Sequence, residues 1–194
     1  MALSSGHIIS CADRNRRGGI KTIYLGEVAN IDTANVTAGA SQEYTAFPLT
    51  AANYIYKFEF DRETAGFTAN ATRENGSTVV DVELTFTIPK ITKTIQASLE
   101  SLKETCGLFA VCETFADDGA GATYEFILGF DQVFTTEAFL DFGSGEQNTG
   151  AALQDANATV ITLVGKMGEY PREYVPSGAG IAVNNAATNE YSIT

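Results

Sequence analysis

Along YIYKFEFDRE, residues 54–63, apolar and polar positions alternate almost without error. Tyr54, Tyr56, Phe58 and Phe60 fall on one side of an extended chain, and Lys57, Glu59, Asp61 and Glu63 on the other. Successive side chains of a strand leave opposite faces, so this period of two predicts a half-buried strand over 54–63. STVVDVELTFTIPK repeats the pattern: Thr78, Val80, Val82, Leu84, Phe86 and Ile88 alternate with Ser77, Asp81, Glu83, Thr85 and Thr87, and Val79 is the exception. Between them, GFTANATR sets Phe67, Ala69 and Ala71 against Thr68, Asn70 and Thr72. The three segments predict a meander with an apolar underside and a polar, net acidic upper side. Asn75-Gly76 is a two-residue hairpin signal between the last two.

The period changes after Pro89. Ile91, Ile95, Leu99, Leu102 and Cys106 recur at steps of three and four, which predicts one amphipathic helix ending at Gly107. IKTIYLGEV before the meander, and LFAVCETFA, TYEFILGFDQVF and NATVITLVGKM after the helix, read as further strands, with a turn at DDGAGA. Residues 30–53 read as a long loop holding at most one weak strand, and GSGEQNTG reads as a turn. The expected fold is mainly β, an antiparallel sandwich or curved sheet with one flanking helix. An N-terminal arm (1–19) precedes the body (20–175). A small, polar tail (176–194) follows it, expected to order only where another subunit receives it.

The chain of 194 residues is long enough for one domain that folds without metal or disulfide. No apolar run approaches the ~20 residues of a membrane helix, and the N-terminus lacks a secretory pattern. Cys11, Cys106 and Cys112 show no metal spacing and are expected to be reduced thiols. His7, the single histidine, has no ligand or triad partner near it in sequence. The Gly-rich stretches do not match phosphate-binding spacings, and carboxylates such as Glu59/Asp61 and Asp81/Glu83 share strands instead of facing across a cleft. The expectation is a protein that is not an enzyme and uses no cofactor.

Twenty-four acidic residues against twelve basic ones give a net charge of −12, which excludes a protein that grips nucleic-acid phosphates. Arg14, Arg16, Arg17 and Lys21 concentrate positive charge in one segment of this acidic chain, and are expected to register one subunit against an acidic patch of another.

The order of elements, from arm and strand through loop, meander and proline-terminated strand to one amphipathic helix and more strands, resembles the tail-tube proteins of tailed bacteriophages. The LGFD core and the Glu169-Tyr170-Pro171 element after the last strand are similar to tube-like proteins from phages of Bacteroidetes hosts. The resemblance implies a virion structural protein, made in the host cytoplasm, that assembles with other tail proteins. Its subunits would stack as hexameric rings, and sheets from all of them would merge into a β-barrel around passing double-stranded DNA. On that reading Lys57, Glu59, Asp61, Glu63, Thr68, Asn70, Asp81, Glu83 and Thr85 line the lumen. The competing expectation is a β-sandwich binding or decoration module for carbohydrate or a capsid; the absence of tryptophan weighs against a sugar platform.

Overall fold

The computed structural model describes residues 18–74, 76–117, 123–152 and 155–194. Its first strands are β1 (Ile20–Glu27), β2 (Thr37–Ala38), β3 (Glu43–Ala46), β4 (Ile55–Phe58), β5 (Gly66–Glu74) and β6 (Ser77–Pro89). The helix α1 (Lys93–Glu104) follows. Then come β7 (Leu108–Asp117), β8 (Thr123–Leu128), β9 (Leu140–Asn148), β10 (Ala158–Met167), β11 (Arg172–Tyr174), β12 (Ala182–Asn185) and β13 (Glu190–Ser192). The chain is mainly β with one flanking α-helix among the described residues, and its strands form one strongly curled sheet. No helix among the described residues is long and apolar enough to cross a membrane.

The sheet has two wings. One runs β12-β13-β4-β1-β7-β8-β11-β3-β2, and the other is the antiparallel set β5-β6-β10-β9. A single pair, Leu108 with Leu140, joins them. The main core lies between the wings, where Ile23, Leu25, Ala110 and Cys112 meet Val82, Leu84, Phe86, Ile161 and Leu163. A second core covers the reverse side of the first wing. There Tyr44, Phe47, Ile55, Phe109, Val111, Ile127 and Phe130 pack with Tyr174 and Ile193. β1 and β7 are therefore buried on both faces, which is why IYL and LFAVC are continuous apolar runs.

Several expectations change. The strand expected over 54–63 is only Ile55–Phe58, and β4 pairs with β1 and β13, not with β5. Ile55, off the expected apolar face, is fully buried in the second core, while Tyr56 is 46% exposed. After Phe58 the chain turns: the Thr64 amide and hydroxyl both donate to the Asp61 carbonyl, and Glu63 takes φ 66. Phe58 and Phe60 hold this turn against the Phe86 ring at 6.0 and 6.4 Å. The expected three-strand meander is thus one hairpin, β5–β6, whose register runs without a shift from Gly66–Thr85 to Glu74–Ser77. Asn75 and most of the DDGAGA turn lie outside the described residues.

Residues 30–53 do not form a bland loop. An Ile31–Leu49 bridge and the short β2–β3 pair fold them over the first wing, where Tyr44 and Phe47 are fully buried. β8 stops at Leu128 because Gly129, at φ +81, passes so close to β7 that a Cβ would sit 2.6 Å from the Leu108 carbonyl oxygen. GSGEQN is the outer half of β9, not a turn. The tail also folds on its own chain: β12 and β13 form a hairpin that adds to β4, and Ile193 enters the second core. The helix is capped by Thr92, whose Oγ1 accepts from the Ile95 amide at 3.3 Å. It buries Leu102, half-buries Ile95 and Leu99 against the main core, and leaves Cys106 exposed beyond its end.

Candidate functional site

Strict alternation on β6 puts Val80, Val82, Leu84, Phe86 and Ile88 into the core and turns Asp81, Glu83 and Thr85 outward. Register carries the same division to the neighbouring strands. Thr68 and Asn70 of β5 lie opposite Glu83 and Asp81, while Thr162, Val164 and Lys166 of β10 lie opposite Thr85, Glu83 and Asp81. On β9, Asp141 pairs with Val164 and Ser144 with Thr162, across an irregularity at Phe142–Gly143 that keeps Phe142 against the core. The second wing therefore presents one outward face that is largely polar, with Val160 and Val164 of β10 exposed within it.

Of the residues expected to line a conduit, Thr68, Asn70, Asp81, Glu83 and Thr85 share this face. Glu63 joins them from the 59–65 turn, in a hollow of about 360 Å³ with Gly66, Thr68, Glu83 and Thr85. Glu59 and Asp61 sit on the exposed turn itself, and Glu59 lies 3.7 Å from the Lys57 ammonium. Lys57 is on the first wing, opposite Tyr24 of β1. The structure thus gathers six of the nine and leaves Lys57, Glu59 and Asp61 elsewhere. Arg14, Arg16 and Arg17 lie outside the described residues, as do His7 and Cys11. Lys21 donates to Glu113 Oε1 of the same chain at 2.5 Å.

Sequence reasoning missed the other half of this face, namely Asp141, Ser144 and Glu146 of β9 and Lys166 of β10. The alternation of Leu140 and Phe142 with Asp141 was available, but three glycines and polar residues around it read as a turn.

A cleft of about 550 Å³ lies over Thr68, Asn70, Asp81 and Glu83 on one side and Glu137, Phe139 and Asp141 on the other. Gly165 forms part of it and is needed for its shape: a Cβ there would lie 2.5 Å from the Phe139 carbonyl oxygen. Four carboxylates, Asp81, Glu83, Glu137 and Asp141, face one ammonium, Lys166, in the cleft lining. Lys166 is ion-paired to Asp81 at 2.5 Å. Both partners are well exposed, so the pair adds little stability and leaves the cleft net negative. The Thr85 and Thr162 hydroxyls, 3.2 Å apart, tie β6 to β10 across the face.

Two carboxylates elsewhere are structural. Asp131 is fully buried and accepts from the amides of Val133 (2.8 Å), Phe134 and Gly168 (both 2.5 Å), which fixes the turn after β8. Glu169 binds Arg172 through both carboxylate oxygens at 2.7 and 2.8 Å and accepts from the Gln132 amide. Burial opposes ionisation of Glu169, but these donors win and hold its carboxyl below the usual range. Cys112 is buried in the main core, and burial pushes its thiol far up. No group of three His, Cys, Asp or Glu among the described residues is placed to hold a metal ion.

What the site offers is an extended, net acidic surface backed by an apolar core. Comparison of the chain with protein-family models, curated proteins and solved structures finds no match, and its functional reading rests on this surface.

Proposed function

We propose that the chain is a structural subunit of a bacteriophage tail tube, assembling into stacked hexameric rings whose acid-lined channel conducts DNA. The observation that carries this reading is the second wing: a one-sided sheet with an acidic face and two open edges. Among the described residues β5 pairs only with β6. Among the same residues β9 pairs with β10 on one side and, on the other, only through Leu140 with Leu108 of β7. β5 runs nine residues without a bulge or proline, and its charged residues, Arg73 and Glu74, fall only at its end, so its first seven residues carry none of the devices that usually keep an exposed edge from pairing. Joining β5 of one copy to the outer edge of β9 in the next is a head-to-tail contact, which closes into a ring when the rotation allows. The polar face of each copy then becomes one segment of the barrel wall.

The electrostatics favour transit over binding. Duplex DNA carries a charge about every 1.7 Å, and a basic wall would hold it. An acidic wall repels it over a screening length of about 8 Å at physiological salt, which keeps the duplex near the axis. The cleft over Asp81, Glu83 and Glu137 favours a second reading, a binding module, because its volume falls in the range of ligand pockets.

Electron microscopy of the purified chain separates the two. Rings or tubes support the first reading, and a monomer at every concentration overturns it. The role of the face is tested in the assembled material with Asp81→Lys, Glu83→Lys and Asp141→Lys combined. Those tubes are expected to retain duplex DNA at low salt while wild-type tubes release it; equal release by both would show that the acids are only a solvated surface.

A further inference from the structure

The first described residues are held at a defined place. The Gly19 carbonyl accepts from the Phe115 amide of β7 at 3.2 Å, and the Ile20 amide donates to the Ala65 carbonyl at 3.3 Å. Ala65 immediately precedes β5, and its carbonyl takes this bond from β1 and not from β6. Backbone groups of alternate residues on a strand point to the same side. The amides and carbonyls of Phe67, Ala69 and Ala71 therefore follow Ala65 onto the edge of β5 that faces away from β6. Among the described residues no strand pairs with that edge. The chain before Gly18 thus starts beside the entry to an open edge.

An uncovered edge invites pairing with other chains, and covering it is one of the usual remedies. Arg14, Arg16 and Arg17 place three positive charges directly before Gly18. An extended chain advances about 3.3 Å per residue, so these arginines span the same roughly 13 Å as the run of β5 from Gly66 to Asn70. Along that run Thr68 and Asn70 lie opposite Glu83 and Asp81, one strand away. Glu63 shares a hollow with Ala65, Gly66, Thr68 and Glu83. Asp81 is already paired with Lys166, so Glu63 and Glu83 supply most of the attraction. The most basic segment of the chain begins where the acidic face begins. A tether of a few residues gives it an effective concentration in the millimolar range, above that of any second copy in dilute solution.

We infer that residues 14–17 add as a short strand along the open edge of β5 in their own chain, their arginines drawn toward Glu63 and Glu83, and so guard that edge against other chains. The arginines expected to register one subunit against another then act first on the chain that carries them. In the proposed tube the guard gives way to β9 of the next copy. That exchange rests on the tube reading; the guard itself does not.

Hydrogen exchange of the full chain tests it, at a dilution where light scattering gives a monomer. The amides of Phe67, Ala69 and Ala71 are expected to exchange at least about tenfold below their intrinsic rates, by a factor that does not change with protein concentration. Combining Arg14→Glu, Arg16→Glu and Arg17→Glu is expected to remove that protection. The β10 amides, which pair on both sides, serve as the reference for folding and should keep theirs. Unprotected Phe67, Ala69 and Ala71 amides in the wild type, protection that grows with concentration, or protection that survives the charge reversal would each overturn the guard. Absence of rings in electron microscopy counts against the tube reading alone and leaves these rates unchanged.

Discussion

β6 and β1 face one another across the same core, yet only β6 alternates. The outer side of β6 meets solvent, so every second residue from Asp81 to Thr87 is polar. β1 is covered on both sides, by the second wing and by the second core, and its apolar positions run together. The contrast teaches that a period of two marks a strand with one free face, whereas a strand inside a layered structure loses it. YIYKFEF shows the converse: its alternation is nearly perfect, but only part of it is strand and both sides of that part carry contacts. Ile55 enters one core, Phe58 packs on the other, and Lys57 lies opposite Tyr24. Alternation therefore fixes which residues can share a face, but not what covers that face.

The comparison is broken most directly by emptying each core in turn. Phe47→Ala, in the segment that looks like a loop, is expected to cost about 3–5 kcal/mol, and Leu84→Ala on β6 about 2–5 kcal/mol. Urea unfolding checks both; a loss below about 1 kcal/mol at Phe47 would show that the second core is not cooperative with the first. Asp131→Ala comes next. It leaves the Val133, Phe134 and Gly168 amides without their acceptor at a buried site, for an expected loss of about 3 kcal/mol in the same assay.

A smaller, pH-dependent effect separates the wings electrostatically. Burial, with the Glu113 charge adding to it, pushes the Glu125 carboxyl on the first wing up to about 7, above its ordinary 4.5. The folded state thus holds the proton more tightly, and the associated stability is present below about pH 4.5 and lost as pH rises through 7. Glu125→Gln is expected to remove that decline and to stabilise the chain at pH 8 by about 1–2 kcal/mol after allowing for solvent screening. Glu113 has the opposite sign: burial opposes its ionisation, but donors from Lys21, Thr123 and Thr22 outweigh it and hold its carboxyl below the usual range, so its contribution is lost as pH falls. Denaturation midpoints at pH 5, 6, 7 and 8 check the slope. The smallest effect is expected on the polar face of the second wing, where Glu83→Gln should shift stability by less than about 0.5 kcal/mol, because an exposed carboxylate there makes no structural contact that folding requires. A large loss would mean that this acid is part of the fold.

Much of the second wing was legible. Asn75-Gly76, the alternation of Ser77–Pro89, broken only at Val79, and the step to a helical period after Pro89 are local signals, set by side-chain direction and turn chemistry over a few residues. They gave the hairpin, the helix and the outward direction of Asp81 and Glu83. β9 was lost because Gly143, Ser144 and Gly145 have turn composition, and only pairing with β10 makes them strand.

What the sequence by itself determined is the class, mainly β with one helix, and the division of β5 and β6 into apolar and polar sides. Each follows from local periodicity, which no tertiary partner can invert without burying charge. Only the tertiary structure decided that β4 lies beside β1 and not beside β5, that residues 30–53 cap a second core, and that the tail closes on its own chain. Those outcomes depend on contacts between residues far apart in sequence: Tyr44 with Phe130, Tyr24 with Tyr191, Ile55 with Phe109. A single buried aromatic in a polar stretch carries no period, so its burial is set by the partner it meets and not by its neighbours in the chain.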